Sequence, residues 1–436
     1  MQKRHLLVTV FAVSLSATAL SQTVQRLTIG EMFGLLDKAN SSIRASQTGV
    51  EAAREGVSAA RSQRLPDIST RLSASFIGNV LLMDRNFSNV HGLHAPHFGN
   101  QFAVDVQQTV YAGGAVDAGV RLSQLGLDKA GTATDLTRQQ QRFLVLGQYL
   151  DLEKLANRER VLQSNIDLTE RLIADIDERH KQGVALKNDI TRYELQLETL
   201  RLNLAKLRNQ REVISHQLCN ALGIDGNVSI EPADDVSAQS FAQDGESHWQ
   251  QAATLNSPQL RMASIDEQLS EQQLKLARSD MRPKVAVVAS NNFEGPITFE
   301  LPPVNKNLNV WYVGVGVSYQ LSSLFKSNKR LRQARLEMQE ASERKTVTRE
   351  QLDNQMQAAW VAYRQSYVEL KTQQKNVELA QENYQVVNDR YLNQLALVTD
   401  MIDASNMRLD AELSEADARI NIAYAYYKMK YIAGEL

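Results

Sequence analysis

One plan occurs twice in this chain, and that repetition limits the fold more than any other feature of the sequence. Ile43-Arg44 returns as Leu260-Arg261, Ala60-Arg61-Ser62 as Ala277-Arg278-Ser279, and Pro66, Phe76 and Gly78 as Pro283, Phe293 and Gly295, all at an offset of 217 residues. Past a shorter loop the offset becomes 211: Arg121 matches Arg332, Tyr149 matches Trp360, Arg179 matches Arg390, Ala185-Leu186 matches Ala396-Leu397, and Asp189 matches Asp400. Two structural repeats are expected, at 22–225 and 247–436, because a constant long-period offset marks one structural plan written twice. The stretch 226–246 between them holds Pro232, Asp234, Asp235 and several serines and reads as a connector.

Proline placement sets the elements within each repeat. The eight prolines are Pro66, Pro96, Pro232, Pro258, Pro283, Pro296, Pro302 and Pro303. Positions 97–231 and 304–436 lack the residue that removes a helical N–H and kinks the chain, so two very long helical stretches are permitted. Each repeat opens with a helix of about seven turns. Thr28-Ile29-Gly30-Glu31 has capping-box spacing for a short first helix. Asn40 or Ser41, and Ser257-Pro258, supply a cap or a first-turn proline to the next one, which Pro66 and Pro283 end. Strict alternation follows each stop. Ile68, Thr70, Leu72, Ala74 and Phe76 fall on one face, with Ser69, Arg71, Ser73 and Ser75 on the other. Strands are expected at about 67–78 and 100–111, and again at about 284–294 and 309–321. The period then switches: Met356, Trp360, Tyr363, Tyr367, Leu370, Val377, Tyr384, Val387 and Tyr391 follow steps of three and four, with polar Gln374 and Gln381 at the intervening positions. Long helices are expected at about 117–182 and 188–222 and, in the copy, at about 328–393 and 399–432. A helix over 117–182 would run about 100 Å, longer than a globular domain is wide. Each repeat is therefore a helix, a β-hairpin and a long α-helical hairpin, and the fold class is mainly α with a small set of strands.

The N-terminus gives the compartment. Lys3, Arg4 and His5 precede the apolar run 6–15 and the small residues Ala17, Thr18, Ala19 and Ser21, the order of a secretory signal peptide over 1–21. No later segment approaches the roughly 20 apolar residues of a spanning helix. Lys and Arg total 48 against 50 Asp and Glu, a formal charge of −2, so no basic field favours nucleic acid. A single cysteine, Cys219, excludes an intramolecular disulfide framework and a Cys-rich zinc site. No hydrolytic triad, phosphate loop or acid/base carboxylate pair is placed for catalysis, and no cofactor or enzymatic activity is expected.

An exported chain without a spanning helix can enter a membrane only as strands. Four strands of about 10–13 residues are long enough to cross a bilayer, yet four cannot close a barrel, and open edges are not tolerated in lipid. Several copies would then have to combine. The alternative is a soluble protein, a periplasmic coiled-coil scaffold or adaptor, in which both hairpins pack on the helices.

Leu27-Thr28-Ile29, Arg179-His180-Lys181-Gln182-Gly183, and Arg390-Tyr391 followed by Asp400-Met401-Ile402-Asp403-Ala404, set in this twofold order, make the sequence resemble the TolC-like outer membrane efflux protein family over essentially the whole mature chain. The resemblance implies a homotrimer whose twelve strands form a transmembrane β-barrel in outer membrane lipid and whose helices form a periplasmic α-barrel. It implies a passive export channel of a Gram-negative-type bacterium, partnered by a periplasmic adaptor (membrane fusion) protein and an inner-membrane pump.

Several residues stand out against that background. Asp400 and Asp403 lie three apart on one helical face; the resemblance implies a ring of carboxylates at the periplasmic entrance, while acids in a first turn equally favour the helix dipole. Asp189 and Tyr391 match a gate latch, with Ala396 where some family members carry a gating Arg; Tyr391 also fits an ordinary core aromatic. The turns Gly183, Val184, Ala185, Leu186 and Leu395, Ala396, Leu397 place apolar groups where the family docks its adaptor, or where they pack only on each other. Phe76, Phe98, Phe102, Trp311 and Tyr319 suit an aromatic girdle or the inside of a hairpin. His91, His94 and His97 crowd one loop and are a weak candidate for zinc or copper, without the spacing of a known site.

Overall fold

A computed structural model describes residues 23–241 and 244–436, and the expected signal segment 1–21 lies outside them. The chain divides into two compact units, one of Met1–Asn40, Leu144–Phe241 and Arg364–Tyr424, the other of Ser41–Phe143, Ala242–Tyr363 and Ala425–Leu436.

In order, the elements are β1 (Thr23–Leu27), α1 (Ile29–Ala39), α2 (Ser41–Ser62), β2 (Asp67–Phe76), β3 (Val80–Leu82), β4 (His91–Leu93), β5 (Phe98–Tyr111), α3 (Ala115–Lys181) and α4 (Lys187–Leu222). Then follow β6 (Val228–Pro232), a 3-10 turn at Val236–Ala238, α5 (Glu246–Asn256), α6 (Pro258–Ser279), β7 (Lys284–Gly295), β8 (Leu308–Ser318), α7 (Ser323–Leu392) and α8 (Val398–Ala433). The order helix, hairpin, long helical hairpin is present twice, so the two-repeat architecture is that of the sequence.

In the first unit, Thr28 and Glu31 form the reciprocal capping box at the start of α1: the Glu31 N–H donates to Thr28 Oγ1 at 3.2 Å and the Thr28 N–H to Glu31 Oε2 at 2.9 Å. Leu155, Leu162 and Ile166 of α3 pack against Leu197, Leu200, Leu204 and Leu207 of α4, with Leu409 of α8 joining them. The α4 leucines step by three and four, which keeps them on one stripe facing α3. The connector carries a strand: β6 pairs parallel with β1, from Thr23 opposite Val228 to Leu27 opposite Pro232. Tyr149 of α3 fastens this pair from below. Its buried hydroxyl lies 3.0 Å from the Leu27 carbonyl, to which it donates, and accepts from the Ala233 and Asp234 N–H groups at 3.2 and 3.1 Å. Beside it, buried Glu153 Oε1 accepts from the Val236 and Ser237 N–H groups at 3.1 and 3.3 Å. Burial pushes the Glu153 carboxyl up to about 7 despite those bonds.

In the second unit, β2, β5, β7 and β8 form one antiparallel sheet in that order. Each repeat contributes one hairpin, and β5 against β7 joins the two. The register puts Ile68 opposite Val106, Leu72 opposite Phe102 and Phe76 opposite Phe98. It continues with Phe102 opposite Phe293 and Val106 opposite Ala289, then Ala289 opposite Val313 and Val287 opposite Val315. One face is therefore mainly apolar across the four strands, interrupted by Thr70, Gln108 and Asn291. On the other face the Ser290 hydroxyl donates to Asp105 at 2.7 Å and Gln101 Nε2 to Asn292 at 3.3 Å. Among the described residues, the outer strands β2 and β8 each have one neighbour in this sheet. No described helix is long and apolar enough to cross a membrane.

Candidate functional site

The two turns between the long helices are built alike, as the 211-residue offset requires. After α3, the Val184 N–H reaches back to the Arg179 carbonyl at 3.0 Å across Gly183, whose φ is +79°. After α7, the Leu395 N–H reaches the Arg390 carbonyl at 2.8 Å across Gln394, whose φ is +61°. Both are left-handed helix ends, where glycine is unstrained and glutamine is not. His180 adds a clip across the first turn, its Nδ1 lying 2.8 Å from the Ala185 carbonyl oxygen. Val184, Leu186, Leu395 and Leu397 are exposed, while Ala185 packs inward and Ala396 is half-buried.

The helices that leave these turns start with matched acids. Asp189 Oδ2 accepts from the Leu186 N–H at 3.2 Å, and Asp400 Oδ2 from the Leu397 N–H at 3.0 Å. Each carboxylate therefore satisfies a first-turn donor that has no partner within the helix. Asp400 and Asp403 are both exposed and share a face, while the flanking Met401 and Ala404 turn inward and are buried. Capping does not consume the charge of Asp400, and Asp403 is not engaged in the cap.

Behind the acids lies an aromatic cluster. Ile176, Tyr193, Tyr384, Val398, Met401 and Ala404 form its core, and Tyr391 packs on its edge, half-buried. Burial first, and then the Asp189 carboxylate, pushes the Tyr391 hydroxyl upward, with Arg179 opposing. Asp189, Tyr391 and Arg179 thus share one locale. Tyr193 is 2% exposed, and its hydroxyl is buried without a hydrogen-bond partner among the described residues.

In the second unit the five aromatic candidates are all exposed, with Phe76 at 82% and Trp311 at 72%. Phe76, Phe98 and Phe102 stand on the apolar face of the sheet, as does Trp311, opposite Asn291. His91, His94 and His97 are not gathered around one point. His91 sits in the short pair β3–β4, His97 stacks on Phe76 with ring centroids 5.1 Å apart, and His97 Nδ1 lies 2.8 Å from the Ile77 carbonyl oxygen. His94 meets His97 edge-on at 5.2 Å. Among the described residues there is no cluster of three or more potential metal ligands.

One residue escaped the sequence reading. Arg408 of α8 is only 11% exposed at its side chain, and its guanidinium lies 4.2 Å over the ring of Tyr384 in α7. Its signal was available: at the 211-residue offset Arg408 corresponds to Leu197, a buried leucine of the α3–α4 stripe.

A sequence model of the outer membrane efflux protein family matches residues 34–224 and again residues 249–435. No curated protein matches the sequence. Among solved structures, the outer-membrane channel OprN superposes with a TM-score of 0.77 at 16% identity, covering 94% of this chain and 90% of its own. The outer membrane protein VceC from Vibrio cholerae gives 0.76 at 14% identity, over 93% of this chain and 96% of its own. CusC, a protein that undergoes conformational changes accompanying folding and transmembrane channel formation, gives 0.80 at 12% identity, over 96% of this chain and 95% of its own.

Proposed function

Because the chain belongs to the outer membrane efflux protein family and is an outer-membrane protein, we propose that three copies assemble into a passive duct through which an inner-membrane pump and a periplasmic adaptor export their substrates. The observation that carries this reading is the four-stranded sheet, apolar on one face and hydrogen-bonded polar on the other, with two outer strands lacking a second partner. Such a sheet is half-made. Its apolar face suits lipid, its polar face suits water, and edge-to-edge closure with two further copies removes the open edges that lipid forbids. Twelve strands result from three such sheets.

The helical hairpins are read as the periplasmic part, with roles assigned residue by residue. Asp400 and Asp403 ring the entrance with six carboxylates, attracting cations and making the entrance blockable by multivalent ones. Asp189 and Tyr391 form the latch that holds neighbouring coils together, by a contact water can replace when they part. Exposed Val184, Leu186, Leu395 and Leu397, with Gly183, Ala185 and Ala396 shaping the turns, form the adaptor-docking surface. Phe76, Phe98, Phe102, Trp311 and Tyr319 form the interfacial girdle. The chain supplies no energy source of its own, so transport is driven by the pump.

The test is conductance in a planar bilayer, with millimolar divalent or hexavalent cations added on the periplasmic side and the Asp400→Ala/Asp403→Ala double variant as comparison. Small stable steps blocked by cations in the wild type and not in the variant are expected. Failure of a folded protein to insert would overturn the channel, and block that persists in the variant would overturn the ring.

A further inference from the structure

The outer strands of the four-stranded sheet are complementary in length and in pattern. β2 has ten residues and β8 eleven. Ile68 and Leu72 of β2 lie on the same face as Val313, Val315 and Val317 of β8, while Ser69, Arg71 and Ser73 lie on the other with Tyr312, Gly314 and Gly316. The sheet is antiparallel throughout, so β8 of one copy meets β2 of the next antiparallel when the edges join. Pairing every residue of β2 and keeping each face on its own side leaves one register, from Asp67 opposite Ser318 to Phe76 opposite Asn309. A slip by one residue exchanges the faces, and a slip by two leaves part of β2 unpaired.

This register also gives a barrel of ordinary slope. Followed straight across one chain, Arg71 stands level with Ala103, Asn292 and Val310. The seam places it opposite Gly314 of the neighbouring copy, and from Val310 to Gly314 is four residues along β8. Three such seams stagger the strands by about one residue each, and with a rise of about 3.3 Å per residue and a strand spacing of about 4.8 Å they incline by about 35°, within the range of transmembrane barrels.

Nothing within its own chain calls for glycine at position 314. A Cβ there would meet no atom within 4 Å, and its backbone is not left-handed. Glycine weakens a strand and often marks a place where another group approaches closely. Arg71 has the opposite character: it is exposed, and among the described residues it makes no hydrogen bond or ion pair, while Asp105 on the adjacent strand is engaged by the Ser290 hydroxyl at 2.7 Å. In the seam register Arg71 of one copy stands over Gly314 of the next, with Tyr312 and Gly316 as diagonal neighbours within reach of a long side chain. The glycines leave a trough for its stem, and the exposed Tyr312 ring attracts the guanidinium. We propose that Arg71 is the register key of the seam between copies, seated over Gly314 and against Tyr312 of the neighbouring chain. A slip of two residues one way sets Arg71 squarely against Tyr312, and the other way removes it from that ring. The key rests on the reading that three copies close the barrel.

Two measurements on the full-length chain test it. Leu72→Cys, combined in turn with Trp311→Cys, Val313→Cys or Val315→Cys, reads the register from the apolar face and leaves the key intact. Within one chain β2 and β8 are three strand spacings, about 14 Å, apart, too far for a disulfide, so every crosslink joins two copies. The native Cys219 is buried and takes no part. Val313→Cys should give the main crosslinked product, and a main product through Trp311→Cys or Val315→Cys overturns the register. Gly314→Val then tests the key. Valine has room inside the chain and suits a strand, so without the key the trimer should be as stable as before or more so. With the key, Gly314→Val should raise the dissociated fraction about fivefold or more, the scale of losing one packing contact, and adding Arg71→Ala should reverse most of that rise. No rise, or a rise that Arg71→Ala does not relieve, overturns the key. A wild type that stays monomeric in both detergent and lipid overturns the trimeric reading itself, and the seam with it.

Discussion

Asp189 and Asp400, 211 residues apart, make the same hydrogen bond: each carboxylate accepts the backbone N–H three residues before it, from Leu186 at 3.2 Å and from Leu397 at 3.0 Å. The duplication has preserved a helix cap, and in the second copy the capping acid is also the first of the two acids assigned to the entrance. Capping and cation attraction are separable, because Asp403 belongs to the exposed pair without belonging to the cap. Asp403→Ala should weaken cation block while leaving amide exchange in the first turn of α8 unchanged. Asp400→Ala should weaken the block and also speed that exchange roughly threefold, the scale of losing a carboxylate at a helix N-terminus. Conductance and hydrogen exchange on the two single variants check both halves.

Gly223 closes α4 with φ at +67°, and a Cβ built there would stand 2.7 Å from Ala39 Cβ at the end of α1. Both the left-handed backbone and the contact oppose a side chain. Gly223→Ala should cost about 2–4 kcal/mol, summing left-handed strain and overpacking. Gly126→Ala is the control: Gly126 lies within α3 with open space around its would-be Cβ. There the methyl group favours the helix by up to about 1 kcal/mol. Thermal midpoints of the two variants should move in opposite directions.

Local rules made most of the architecture readable, and the exceptions are informative. The capping box at Thr28 and Glu31, the stops at Pro66 and Pro283 and the alternation from Ile68 to Phe76 each depend on neighbours within a turn or two. The β1–β6 pair was not readable, because segments of only five residues are too short for alternation to be distinctive, and the partners lie some 200 positions apart. Nor did periodicity show that β5 would pair with β7 and join the two hairpins into one sheet, since register between distant strands is set by the tertiary fold. At the helical-hairpin tips the turns were legible by position, whereas the burial of the Tyr193 hydroxyl required three dimensions. Arg408 could have been flagged by aligning the repeats, where a charge replaces the buried Leu197.

The buried Glu153 carboxyl has a pH consequence of definite sign. In the folded chain burial raises it to about 7 from the usual carboxylate value of 4.5. The folded state therefore binds more protons than the unfolded one between these values, and stability falls as pH rises through that window, then levels above it. Glu153→Gln keeps an oxygen to accept from Val236 and Ser237 and has no proton to lose. The drop in thermal midpoint between pH 5 and pH 8 should be larger in the wild type than in Glu153→Gln. Equal drops in the two proteins would remove Glu153 as its source.

Trp311 offers a direct reading of which face of the sheet meets lipid. Of the three tryptophans, Trp249 is 2% exposed in the helical part and Trp360 lies within α7, whereas Trp311 is 72% exposed on the apolar face of β8. An indole at the interface of a barrel is reached by lipid, and one enclosed in helices is not. Reconstitution into bilayers with brominated acyl chains should quench a fraction of the emission, and Trp311→Phe should abolish that fraction while sparing the rest. The depth of the bromine that quenches best then places the girdle, because Phe76, Phe98 and Phe102 share this face through the strand register. Quenching that survives Trp311→Phe would put lipid against the helices instead, and the sheet would lose its assignment as the membrane-spanning part.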